Sequence, residues 1–313
     1  MRADDIPRHG RDNKLLVWQL DEHDERIYSR TLPIDDAVTD RKKPRLLHDM
    51  PVNALNFCSF ATCLQFSPAS IAANVKPQPD SILVAVPGLQ DGHVNVTSLP
   101  SEQRIATIVS PKDIATGMVM ALGLHYTISN DLCVLVGYES GYTAIWKQHP
   151  PTRQWQTIYS HKAHSQPVLS LDIAPSSGYF YTSSADAIIA RHPLVEGIGE
   201  TKEVQTKHAG QQALRVRSDQ KIFATAGWDS RVRVYATKSM QELAVLKWHK
   251  EGCYALAFAD VSPTTINDES MAGDSSVVKR ELTVSEQRIA KAKTTHWLAA
   301  GSKDGKVSLW DIY

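Results

Sequence analysis

Histidine, aspartate and aromatic residues recur along this 313-residue chain in a repeating order, His249 ahead of Asp304 and Trp310, and His208 ahead of Asp229 and Tyr235. A histidine held against a carboxylate can act as a general base, so the first chemistry to weigh is proton transfer. The same residue types also make buried hydrogen-bond networks that only hold a fold together, and that reading carries more weight here. Catalysis would need a nucleophile with its base or convergent carboxylates, and no such spacing appears. The four cysteines, Cys58, Cys63, Cys133 and Cys253, show no paired CxxC spacing for a metal and no disulfide-scaffold density, so they read as reduced core residues. No catalytic residue, metal or cofactor is expected.

The carboxylates sit in turns. Residues 9–18 (HGRDNKLLVW), 137–146 (GYESGYTAIW), 227–235 (GWDSRVRVY) and 301–312 (GSKDGKVSLWDI) each carry a polar turn and then alternating apolar and polar residues, closing near an aromatic ring. Weaker copies lie at 89–96 and 183–191. A tight turn feeding a half-buried strand is the element they describe. The spacing from Asp91 through Ser140 and Asp186 to Asp229 lies near the roughly 40 to 45 residues of a four-stranded WD40 blade; the outer two steps, from Asp12 and to Asp304, need an insertion of about 30 residues each. The pattern resembles the WD40 repeat.

In WD40 repeats the turn Asp bonds a loop His, the His a strand Ser or Thr, and that residue the Trp. His249, Ser302, Asp304 and Trp310 match this arrangement position by position, and His208, Thr225 and Asp229 match three of its four places, with Tyr235 for the Trp. The units at Asp91 and Ser140 depart from it and should carry incomplete networks. The dipeptide Trp228-Asp229 with Ser230 and Arg231 looks like the signature by which some propellers join cullin ubiquitin ligases, but it lies in the turn before a strand, out of register.

Lys plus Arg and Asp plus Glu both number 34, so the formal charge is zero and no global field draws the chain to nucleic acid or an anionic membrane. No apolar run approaches the roughly 18 residues of a membrane span. Two stretches break the repeat. Residues 35–45 are polar and include Lys42-Lys43-Pro44-Arg45, which fits a nuclear-import pattern and equally a solvated charge run. Residues 260–295 fall inside the last unit as an exposed insertion, with 285–293 as a short helix.

The expected fold is all-β, a WD40 β-propeller spanning 1–313 as one domain, with five complete units plus part of another. The first recognisable strand, 14–18, has nothing ahead of it to supply its two preceding strands, and 307–312 has no evident partner. That leads to the expectation of a seven-bladed ring lacking roughly 70 to 110 residues at its N-terminus.

Residues 9–18, 47–57 (LHDMPVNALNF), 226–235 (AGWDSRVRVY) and 297–310 (WLAAGSKDGKVSLW) resemble the fungal ASTRA-associated protein 1 family, whose animal relative is the Gβ-like protein 1. The likeness runs through the whole chain in order. It implies a non-catalytic scaffold subunit of the ASTRA assembly, linked to chromatin remodelling and to maturation of the phosphatidylinositol-3-kinase-related kinases. The partners it implies are RuvB-like ATPases, telomere-regulation adaptor proteins and the giant kinases themselves, and the place it implies is the nucleus. A cullin-ligase substrate receptor and a histone-binding propeller are the alternatives. Arg11, Trp228, Arg231, Lys250 and Lys303 fall in or near loops on one rim, and a Trp beside Arg is a composition favoured at interface hot spots, so these five residues are the candidate partner-binding set.

Overall fold

The computed structural model describes residues 5–9, 12–20, 44–53, 57–65, 81–110, 114–149, 152, 154–195, 197, 199–261 and 283–312. Six antiparallel sheets follow one another in chain order. The first holds β1 (Asp5–His9), β2 (Lys14–Gln19) and β3 (Arg45–Pro51). The second holds β4 (Ala61–Leu64), β5 (Ile82–Pro87), β6 (Val94–Leu99) and β7 (Gln103–Ile108); the third holds β8 (Val119–Tyr126), β9 (Leu132–Tyr138), β10 (Tyr142–Gln148) and β11 (Trp155–Lys162). In the fourth are β12 (Val168–Ala174), β13 (Tyr179–Ser184), β14 (Ile188–Pro193) and β15 (Lys202–Gln205), and in the fifth β16 (Gln211–Val216), β17 (Ile222–Gly227), β18 (Arg231–Ala236) and β19 (Glu242–Lys247). The sixth pairs β20 (Cys253–Phe258), β21 (Trp297–Ser302) and β22 (Val307–Asp311), with the helix α1 (Val284–Thr294) between β20 and β21. The first strands β4, β8, β12, β16 and β20 pack on one another in succession, the geometry of blades set around an axis.

Among the described residues the chain is thus an all-β WD40 propeller of six blades, rather than seven or five and a part. The unit read as partial gains a strand ahead of 14–18: β1 pairs with β2 from Asp5 opposite Gln19 to His9 opposite Leu15. Pro7 and the charged Asp5 and Arg8 give that strand no apolar alternation, so only backbone pairing reveals it.

Period-two alternation decides which blade meets which. Val134 and Val136 face the second blade, whereas Leu135 between them faces the fourth. Phe180 joins the third blade and its neighbour Tyr181 the fifth, where Tyr181, Phe223 and Tyr235 stack in sequence at centroid separations of 4.8 and 5.1 Å. Each successive pair of blades shares one apolar cluster of this kind. The outward face of the sixth blade repeats the fifth blade's apolar pattern, yet Val307 and Leu309 there are 67% and 65% exposed.

Five of the six strand-preceding turns are alike, the fourth blade's Asp186 turn being the exception. The residue after the turn carboxylate or Ser has positive φ at Asn13, Gly92, Gly141, Ser230 and Gly305, which places the following strand in register with the one before it. Of the insertions, Pro44 is described and Arg45 opens β3, while 35–43 lie outside the described residues. In the second insertion 284–294 is the expected helix, solvent-exposed where its side chains are described, and 262–282 lie outside the described residues. The cysteines are free, with Cys58, Cys133 and Cys253 buried, and burial pushes the thiols of Cys58, Cys63 and Cys133 up to about 12.

Candidate protein-binding rim

The His and Asp residues of the repeat do form hydrogen-bonded chains, and the donors and acceptors fix their direction. In the sixth blade the indole N–H of Trp310 can only donate, and it does so to Ser308 Oγ at 2.9 Å. The Ser308 hydroxyl is then free to donate to His249 Nε2 at 2.9 Å, leaving His249 Nδ1–H to donate to Asp304 Oδ2 at 3.2 Å. The strand hydroxyl is therefore Ser308 and not Ser302. Ser308 and Trp310, two apart on β22, share a face, whereas Ser302 ends β21 and donates to the Glu251 carbonyl at 3.0 Å.

The fifth blade also departs from the sequence expectation. Asp229 is gripped by Arg233, Nη2 to Oδ2 at 2.6 Å and Nη1 to Oδ1 at 3.1 Å, while the His208 ring stands 3.8 Å away. Burial works to raise the Asp229 pKa, but the Arg233 bonds outweigh it and hold it below the usual carboxylate value. Thr225 donates instead to Gln211 Oε1 at 2.7 Å, and Gln211 Nε2 donates to the His208 carbonyl at 3.0 Å.

The longest chain lies in the fourth blade, where the sequence reading assigned none. His164 Nδ1 donates to Asp186 Oδ1 at 3.2 Å, and its Nε2 accepts from Thr182 Oγ1 at 2.8 Å. Thr182 accepts from His192 Nε2 at 2.9 Å, and His192 Nδ1 accepts from the Tyr159 hydroxyl at 2.9 Å. His192 takes the place of the Trp, standing to Asp186 in sequence as Trp310 stands to Asp304. Burial holds its pKa well below that of a free histidine, with the nearby His164 and His161 acting in the same sense. In the third blade, as expected from Ser140, the network is incomplete: Trp146 Nε1 reaches Tyr138 Oη at 3.2 Å, and Ser140 Oγ is buried without a partner. All these chains are internal. They position loops.

What the chains position is a rim. Asp304 accepts from the backbone N–H of Lys250 at 3.4 Å and of Lys306 at 3.1 Å, which ties the loop before β20 to the turn before β22. Lys303 N–H donates to the Gly252 carbonyl at 3.0 Å, and the Trp228 backbone lies 3.1 to 3.2 Å from where a Gly252 Cβ would stand. Trp228, Lys250 and Lys303 are therefore brought together around Gly252. Arg231 opens β18 beside them, close enough that its charge acts on the Cys253 thiol, which burial first and then Asp304 and Asp229 push up to about 11. Arg11 lies outside the described residues.

The Trp228 ring lies over Gly210, whose φ of +74° and missing Cβ make room for it, and its Nε1 donates to Gln212 at 2.9 Å. The ring stays 45% exposed. A second aromatic, absent from the candidate set, stands on the same rim: Trp248 is 52% exposed, packs edge-on against His249, and carries Lys306 Nζ at 5.7 Å from its centroid. Its signal in the sequence is its place directly before the network histidine. His249 is drawn into the blade, so the adjacent ring is left outside.

The WD domain, G-beta repeat model matches residues 155–190 and 288–311. ASTRA-associated protein 1 of Penicillium rubens is 45% identical, with 99% of this chain and 82% of that protein covered. The same-named protein of Verticillium alfalfae is 47% identical over 99% of this chain and 78% of its own length. The chain belongs to the ASTRA-associated protein 1 family. Among solved structures, the computationally designed Ika8 protein matches with a TM-score of 0.56 and 16% identity, covering all of this chain and 69% of that one, a likeness of fold alone. For the ASTRA-associated protein 1 family, then, the rim networks are an element of a WD40 propeller.

Proposed function

We propose that this chain is a non-catalytic scaffold subunit of the ASTRA complex, acting in the nucleus in chromatin remodelling and in the maturation of phosphatidylinositol-3-kinase-related kinases. Its partners on this reading are RuvB-like ATPases, telomere-regulation adaptors and the giant kinases, and the rim bearing Trp228, Arg231, Lys250 and Lys303 is a docking surface for one of them. The observation that carries the reading is family membership across 99% of the chain, in relatives named for their association with ASTRA. The rim adds to it, because a rigid ring of loops binds partners through its surface without doing chemistry.

Affinity purification of the tagged protein from its own cells, followed by mass spectrometry, tests this. Recovery of RuvB-like ATPases together with the adaptors and a giant kinase is the expected result. Recovery of cullin components in their place would replace the scaffold reading with the ligase one.

A further inference from the structure

On this chain of zero net charge, the rim is locally basic because Arg231, Lys247, Lys250, Lys303 and Lys306 outnumber Asp229, Glu251 and Asp304 there. Asp304 is bonded by His249, Lys250 N–H and Lys306 N–H, and Asp229 by the two Arg233 nitrogens. Lys250 and Lys303 are exposed, and among the described residues neither joins an ion pair; Glu251 is the exposed acid between them in the loops. Arg231 and Lys247 are direct cross-strand partners on β18 and β19, a like-charge pair that costs stability unless an anion lies against it. Beside these cations stand two half-exposed indoles, Trp228 and Trp248, the latter under Lys306.

We infer that this rim receives an acidic linear segment of a protein partner, with its carboxylates on Lys250, Lys303, Lys306 and Arg231 and an adjoining apolar side chain on Trp228. The inference rests on the rim being the docking surface proposed above and adds what that surface recognises. Cations that join no ion pair among the described residues meet incoming carboxylates with little to displace, and the flat indoles supply contact area at small entropic cost. The turn bonds to Asp304 hold Lys250 and Lys306 in place beforehand, so the loops need not be ordered on binding.

The probe is a fluorescein-labelled peptide of alternating Glu and Asp around one Phe and one Leu, compared by anisotropy with its Gln/Asn counterpart. The acidic peptide is expected to bind at least about tenfold more tightly, and to weaken as ionic strength rises from about 0.05 to about 0.5 M. The triple variant Lys250→Glu, Lys303→Glu, Lys306→Glu should lose about tenfold or more, with its thermal unfolding by circular dichroism unchanged because all three side chains are exposed. Equal binding of the two peptides, or full binding by the triple variant, overturns the acidic assignment. Co-purification separates the two layers. If Trp228→Ala loses the ASTRA partners and the triple variant keeps them, the rim docks a partner that is not acidic; if both variants keep them, the rim itself is refuted; if both lose them, both readings stand.

Discussion

Replacing His192 with Phe should make the protein less stable at neutral pH and less sensitive to acid. His192 is fully buried, stacked on Phe180 at 4.7 Å, and joined to Thr182 and Tyr159 by bonds of 2.9 Å each. Phenylalanine fits the stack but severs both bonds. Each partner retains another, Thr182 to His164 at 2.8 Å and Tyr159 to Thr201 at 2.9 Å, so the cost is that of two ordinary hydrogen bonds without an orphaned group, about 1 to 2 kcal/mol. The acid effect runs the other way. The native imidazole stays neutral well below the unfolded value of 6.5, so as pH falls past 6.5 the unfolded chain binds a proton that the folded chain refuses, and stability drops. Between pH 7.5 and pH 5.5 one such group removes about 1.3 kcal/mol. His9 and His125, whose pKa values burial also lowers, add to the parent's acid sensitivity but cancel in the comparison. Urea unfolding of parent and His192→Phe at both pH values, followed by tryptophan fluorescence, measures the two gaps. The gap should shrink by about 1 kcal/mol on acidification; a gap that is the same at both pH values would refute a neutral, buried His192.

Three other substitutions probe separate parts of the fold. Phe223→Ala opens a fully buried site between Tyr181 and Tyr235 and should cost about 3 to 5 kcal/mol, read as a lowered urea midpoint with unchanged slope. Gly210→Ala places a methyl group in the Trp228 ring at a backbone of positive φ, so the indole must leave its seat; loss of stability together with a red-shifted Trp228 emission is expected, best read in a variant with the other indoles replaced. Trp228→Ala, by contrast, should shift the melting temperature by only a few degrees because the ring is half exposed, while reducing recovery of the ASTRA partners on purification.

The repeat was legible because turn and strand leave different marks. A polar turn with a residue able to take positive φ, then alternation, located β2, β10, β18 and β22 within a residue or two. Strands without that mark were harder. β1 contains a proline and two charges and is held by its neighbour's backbone, so the strand ahead of 14–18 was missed there. The networks were legible in kind but not in detail, since which residue answers a carboxylate depends on the facing strand. Arg233 lies opposite Thr225 in the register and reaches Asp229, which displaced the expected His208. In the fourth blade His192 stood where a Trp was sought, and a search by residue type passes over a substitute that donates the same hydrogen bond. Ser308 for Ser302 was recoverable from sequence, because alternation alone puts Ser308 on the Trp310 face.

The blade contacts have a consequence for how the molecule comes apart. Five apolar clusters join six blades in a row, and among the described residues there is no sixth cluster between the last blade and the first. Among the described residues the couplings therefore run in a line, with the first and sixth blades at its two ends. Among the described residues the second to fifth blades share a cluster on both sides, whereas the first and the sixth share one cluster each and have three strands. Nearest-neighbour energetics then make opening propagate inward from those two blades. On these contacts amide exchange should be fastest in β1 to β3 and β20 to β22 and slowest in β9 and β13, and a partner seated on the rim should slow exchange in β20 to β22.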